Sequence, residues 1–179
     1  MDQNDQELIR LFAIKESQEK AFNGIVKKYQ ERLYWHIRKI VIIHDDADDV
    51  LQNTFIKVWS HLSSFREDSQ LYTWLHKIAT NESLSFLRKK EKQLSWKDYS
   101  QIISESLYDD NQFNGDEIQR KLQKAILSLP EKQRLVFNMK YFEEKKYGEM
   151  SAILGTSVGA LKASYHHAVK KIKTYFEED

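Results

Sequence analysis

Apolar residues return every three or four positions over long stretches of this chain, and nowhere do apolar and polar residues alternate as they would in a half-buried strand. With five glycines and one proline in 179 residues there is little to interrupt helices, so an all-α protein is expected. The period predicts helices over 21–41, 45–60 and 71–90. The second opens on Asp45-Asp46-Ala47-Asp48-Asp49, an acidic run that suits the positive end of a helix dipole. From about residue 91 the period is lost and Ser, Asn and Asp are scattered through the chain. This segment still carries Leu94, Trp96, Tyr99, Ile102, Ile103 and Phe113, too many apolar residues for a solvated tether, and part of it is expected to dock. Helical period returns over 116–127. Pro130 then stands where the next helix would take its first residue. A short helix over 147–154, the turn Gly155-Thr156-Ser157 and a last helix over 158–173 form a helix-turn-helix pattern. The organisation expected is two small helical domains, 1–92 and 116–179, joined by a linker at 93–115.

Each helix divides into two faces. In the last one Val158, Leu161, Tyr165, Ala168, Val169 and Ile172 share the side expected to be buried. The other side holds Gly159, Ala160, Ala163, His166, His167, Lys170 and Lys171. Small residues in its first turns let a helix end enter a major groove, and the later His and Lys can reach base edges or phosphates. A solvated basic helix end is the plainer alternative. In the third helix Leu71, Leu75, Ile78, Ala79 and Phe86 face the core, opposite a stripe of Thr73, Lys77, Asn81 and Arg88 bordered by Trp74. Cations for phosphates, an amide for an unpaired base edge and a ring for stacking suit single-stranded DNA, although aromatic residues at helical spacing are more often core. The second helix is expected to pack Val50, Leu51, Thr54, Phe55, Val58 and Trp59 inward. That leaves Asp48, Asp49, Gln52, Asn53, Ile56 and Lys57 outside, either as a solvated face or as a protein contact anchored by Ile56.

Charge and composition narrow the chemistry. Lys and Arg number 28 against 27 Asp and Glu, a net +1, so any DNA binding must come from local patches such as Arg88-Lys89-Lys90 and Lys170-Lys171. Without cysteine there are no disulfides and no thiolate metal or catalytic sites. No apolar run approaches the roughly 20 residues needed to span a bilayer, and the start, Met1-Asp2-Gln3-Asn4-Asp5, is unlike a secretory signal. No membrane insertion and a cytoplasmic location are expected. The dipeptide His44-Asp45 could begin the metal set of a helical phosphohydrolase, but the further His and Asp of such a set have no convincing place, since His36 stands only eight positions earlier. His166 and His167 are adjacent, so they point about 100° apart and do not form an i, i+4 metal pair. No phosphate-binding glycine loop is present. Neither a metal nor any other cofactor is expected, and no enzymatic activity.

Several segments resemble one family in order along the chain: Ala21-Phe22, the run from Asp48 to Trp59, the run from Phe65 to Asn81, and Leu127-Ser128-Leu129-Pro130-Glu131-Lys132-Gln133-Arg134. They are similar to extracytoplasmic-function sigma factors of the sigma-70 family. The resemblance implies a transcription initiation subunit with core RNA polymerase, through its β′ clamp helices and its β subunit, and promoter DNA as partners. An anti-sigma factor is a further possible partner. It implies that Asp48, Asp49, Gln52, Asn53, Ile56 and Lys57 meet the clamp helices. By the same resemblance the loop 61–70 and the third helix, with Arg66, Ser69, Thr73, Trp74, Lys77, Asn81, Arg88 and Lys89, melt and read the −10 element. The helix-turn-helix, with Ser157, Gly159, Ala160, Lys162, Ala163, His166, His167 and Lys170, would read the −35 element. Lys162, Ser164 and His167 stand where the family commonly has Arg, which leaves the −35 sequence open. A dimeric helix-turn-helix regulator acting without polymerase is the alternative.

Overall fold

The computed structural model describes residues 3–93 and 117–177, and every regular element among them is helical, as the period predicts. The chain forms two compact units, Met1–Gln93 and Leu94–Asp179. In the first unit α1 spans Gln3–Phe12, α2 Gln18–Val41, α3 His44–His61 and α4 Leu71–Gln93, with a 3₁₀ turn at Leu62–Ser64. In the second, α5 spans Glu117–Leu127, α6 Glu131–Tyr141, α7 Tyr147–Leu154 and α8 Val158–Glu177. The apolar residues at 94–113 and the start of the expected helix at Asp116 lie outside the described residues.

The core of the first unit is written in steps of four. Ala21, Ile25, Tyr29, Leu33, Ile37 and Val41 are buried along α2, Val50, Thr54 and Val58 along α3, and Leu71, Leu75, Ala79, Ser83 and Leu87 along α4. Four residues turn a helix by about 400°, so such a row winds slowly round the axis instead of staying on one side. That is why α2 can pack against α1, α3 and α4 in turn. Hydroxyls that fall in these rows satisfy themselves locally: Thr54 Oγ1 donates to Val50 O at 2.7 Å and Ser83 Oγ to Ala79 O at 2.8 Å.

Three contacts fasten α1 to its neighbours. Buried Asp5 accepts hydrogen bonds from Tyr29 Oη and Lys28 Nζ, each at 2.7 Å. A Cβ on Gly24 would lie 2.8 Å from Leu8 Cδ2, so any side chain there must push Leu8 aside where the helices cross. Phe12 meets Trp59 edge-on at 5.3 Å between ring centroids. Burial, and then the hydrogen bond to Asp5, push the Tyr29 phenol well above its ordinary range. The folded state thus prefers the neutral phenol. This contribution is complete below the unfolded value of about 10 and is lost as pH climbs toward the folded one. In an alkaline absorbance titration, Tyr29→Phe is therefore expected to differ from the parent only above the ordinary range of phenol ionisation. A difference centred on ordinary phenol ionisation would mean that α1 is not docked this way.

The link between α2 and α3 is two residues long. Ile42 has φ 69° and ψ −46°, and the Ile43 N–H donates to Val41 O at 2.8 Å. This is a γ-turn at positive φ, a strained conformation for a β-branched residue, here held by burial of the Ile42 side chain.

Several expectations change. Helix α1 has no counterpart among the helices that the period predicts. Helices α2, α3, α4 and α8 all run past the expected limits, α4 as far as Gln93 and α8 as far as Glu177. Pro130 precedes α6 and does not occupy its first position. Val158, expected on the buried side, is 38% exposed, because the first residue of α8 has no earlier turn of its own to lie over. Trp59, also expected inward, is 39% exposed; Phe12 and Phe22 pack against its ring but do not enclose it.

Candidate nucleic-acid interface

In the first unit the outer face of α3 stays open. Asp49, Gln52, Asn53, Ile56 and Lys57 are exposed, Ile56 to 64%, while Asp48 is half-buried with its Oδ2 3.7 Å from His44 Nε2. An apolar side chain standing this far out of a polar helix face is a ready anchor for a protein partner. Lys57 has a second engagement, because its Nζ pairs with Glu82 of α4 at 2.5 Å. Deeper between the same helices, Lys90 pairs with buried Asp46. These two ion pairs tie α3 to α4 above the apolar rows.

On α4, Lys77, Asn81 and Arg88 are exposed and Thr73 and Trp74 half-buried. Spacings of four and seven residues keep Thr73, Lys77, Asn81 and Arg88 along one stripe. Lys89 turns away from it, and with Asp49, Gln52, Asn53 and Phe86 it lines a cleft of about 440 Å³. Residues expected to meet polymerase and a residue expected to meet DNA are thus brought together. Trp74 packs on Phe65 at 5.1 Å between centroids and donates its backbone N–H to Gln70 O. The indole therefore supports the loop before α4 and leaves only part of its surface for a base. In that loop Arg66 Nε lies 3.2 Å from Asp68 Oδ2, Glu67 takes φ 59°, and Ser69 is half-buried.

In the second unit Leu161, Ala168 and Ile172 bury one side of α8, the last two in a cluster with Ala125, Ile126, Leu129 and Phe137. Gly155, at φ 61°, ends α7 in the left-handed conformation that glycine adopts without strain, and its N–H bonds to Ser151 O at 2.9 Å. Two residues later Ser157 Oγ accepts the Ala160 N–H at 3.3 Å, so the side chain expected to touch DNA also caps α8. Gly159, Ala160, Lys162, Ala163, His166, His167 and Lys170 are all exposed on the side away from the core. Lys140 and Lys162 both lie near the Tyr147 ring, at 5.2 and 5.9 Å from its centroid. This adds a cation from α6 that the helix-turn-helix pattern did not reveal.

The histidines near the acidic run do not gather. His36 Nε2 is hydrogen-bonded to Thr80 Oγ1 at 2.9 Å inside the first unit, whereas exposed His44 meets Tyr34 Oη through Nδ1 at 2.6 Å. Among the described residues, His44 and Asp45 fall in no group of three or more potential metal ligands, and no helix is long and apolar enough to cross a membrane.

Comparison with known proteins agrees with this division. Sigma-70 region 2 matches residues 25–93, and Sigma-70, region 4 matches residues 119–172. The chain is 28% identical over 174 residues to the ECF RNA polymerase sigma factor SigW of Bacillus subtilis, covering 92% of this chain and 93% of that one. It is 29% identical to the ECF RNA polymerase sigma-E factor of Escherichia coli, covering 89% and 88%. Among solved structures, CnrH in complex with the cytosolic domain of CnrY has a similar fold, with a TM-score of 0.70 at 21% identity over 98% of this chain and 99% of that one. The sigma factor RpoE of Bartonella quintana, in complex with the anti-sigma factor NepR, gives 0.67 at 22% identity over 89% and 99%. The chain belongs to the sigma-70 family, as a sigma factor of the extracytoplasmic-function type.

Proposed function

We propose that this chain recruits core RNA polymerase through the outer face of α3 and directs initiation by reading two promoter elements, one with each unit. The observation that carries the reading is the exposed side chain of Ile56 set among Asp49, Gln52 and Asn53, on a helix ion-paired to α4, which carries the candidate −10 stripe on another face. Domains 1–92 and 116–179 take the −10 and −35 roles, with 93–115 as the connection between them. The β′ clamp helices are the partner of α3, and the β subunit also belongs to the assembly. The protein works in the cytoplasm, where polymerase and chromosome are, and supplies binding energy and no catalytic group. An anti-sigma factor is the partner that would hold it inactive; the similar sigma factor RpoE of Bartonella quintana is found in complex with one, NepR.

Run-off transcription on a promoter library tests the reading. Transcripts from defined starts are expected only when both core polymerase and this chain are present. Alone, with a net charge of +1, the protein gains little from releasing counterions, so weak binding to duplex promoter DNA is expected in a filter or anisotropy assay. Tight, salt-resistant binding of the free chain to a duplex operator would favour the dimeric regulator instead.

A further inference from the structure

Lys89 follows Arg88 of the candidate −10 stripe by one residue, so its side chain points about 100° away from it round the axis of α4. That turn carries it to the cleft of about 440 Å³ between α3 and α4, where Phe86 and Lys90 join it from α4 and Asp49, Gln52 and Asn53 from α3. Lys90 is already engaged. Its Nζ donates to both carboxylate oxygens of buried Asp46 and lies 5.2 Å from the centroid of the Phe86 ring. Lys89 and Asp49 are exposed, and neither has a hydrogen-bond or ion-pair partner among the described residues, each other included. Gln52 and Asn53 are exposed as well, and their amides can donate or accept. The charges that the cleft offers are therefore one ammonium and one carboxylate, which cancel.

We propose that this cleft receives a helix of core polymerase that carries a carboxylate and a cation one turn apart, the first for Lys89 and the second for Asp49. Lys89 is then a polymerase contact and not a −10 contact. The proposal rests on the assignment of the outer face of α3 to polymerase. A DNA phosphate drawn to Lys89 would meet Asp49 in the same cleft, and Lys90 adds no free charge against that repulsion because Asp46 already neutralises it. A partner bearing both signs in the complementary order satisfies Lys89 and Asp49 together. An acid and a base three or four residues apart on one helix stand side by side on its surface, which suits a cleft bordered by two helices. The cleft is also continuous with the α3 face, since Asp49, Gln52 and Asn53 belong to both. What Lys89 adds is selectivity. Ile56 accepts any apolar surface, whereas two opposite charges in fixed places reject a helix whose acid and base are exchanged.

The test reads two affinities of the full chain: that for core polymerase without DNA, and that of holoenzyme, formed at saturating core polymerase, for a promoter fragment. Lys89→Glu is expected to lower the first roughly 5- to 10-fold at about 0.1 M salt, by less as salt rises, and to leave the second at the parent's value. Asp49→Asn should also lower the first, by roughly two- to threefold, and Lys89→Arg, which keeps the charge, should bind core polymerase as the parent does. Both side chains are exposed, so helical content should match the parent throughout. Lys90 is unsuitable, because its removal strands the buried carboxylate of Asp46. A phosphate in the cleft gives the opposite pattern. Lys89→Glu would then spare core binding and weaken promoter binding, while Asp49→Asn, by removing the repulsion, would tighten promoter binding; either result overturns the proposal. If alanine at Gln52, Asn53 and Ile56 lowers core binding and Lys89→Glu does not, the cleft is excluded and the α3 face stands. If neither lowers it, the α3 reading itself has failed.

Discussion

Replacing Gln52, Asn53 and Ile56 together with alanine is expected to weaken binding to core polymerase by roughly 10- to 100-fold, or about 1.4–2.8 kcal/mol, the loss typical of an apolar anchor removed with its polar surround. All three side chains are exposed, and none contributes to the buried row Val50, Thr54 and Val58. Helical content and thermal stability should therefore match the parent, so that lost affinity reports the interface alone. Lys57 is the wrong residue for this purpose, because its removal also frees Glu82 on α4. A triple variant that binds core polymerase as well as the parent does would remove the α3 face from the interface.

Asn81→Ala is expected to lose discrimination at one position of the −10 element by about 1–3 kcal/mol, the usual cost of one wrong base contact. The side chain is exposed midway along the stripe Thr73, Lys77, Asn81 and Arg88, with an amide that can donate to and accept from a base edge. If it meets an unpaired base, the defect should persist on templates already opened into a bubble, since opening them removes the melting cost and leaves the lost hydrogen bonds unmade. Run-off transcription on duplex and bubble templates with single-base changes measures both. A defect confined to duplex templates would place Asn81 in melting and not in reading, and a shift at the upstream element would reverse the roles of the two units. Trp74 is a poorer probe of base stacking, because its ring packs on Phe65 and supports the loop before α4.

The helices were legible because their cores rest on local repetition. Leu71, Leu75 and Ala79 stand four apart in sequence and form one row in space, so periodicity alone picks out α4. Helix α1 is different. It is held by Asp5 on Tyr29, 24 positions away, and by Leu8 lying against Gly24; Asp5, Leu8 and Phe12 keep helical spacing, but the partners they meet are not marked by any spacing. The pairs Lys57–Glu82 and Asp46–Lys90 join residues 25 and 44 positions apart for the same reason, and they decide which cations of the first unit are already engaged. On α8 the exposed small and basic residues follow from the helical wheel, whereas Ser157 shows the limit of that method. Its place just before the helix marks it equally as a cap and as a DNA contact, and the capping bond to Ala160 becomes visible only in three dimensions. A cleft lined by Gln133 of α6 with His167 and Lys170 of α8 needs both helices together, and no spacing within either points to it.

The ion pairs between α3 and α4 bear on where transcription starts. On the proposed assignment, one helix of the pair grips the enzyme while the other holds the opened strand, and Lys57–Glu82 and Asp46–Lys90 lie between them with no loop to stretch. The first unit would then act as a ruler whose length is set by the packing and pairing of α3 against α4. Promoter variants that change the spacing between the −10 element and the upstream element must be absorbed elsewhere in the chain, and the distance from the −10 element to the first transcribed base should stay constant across them.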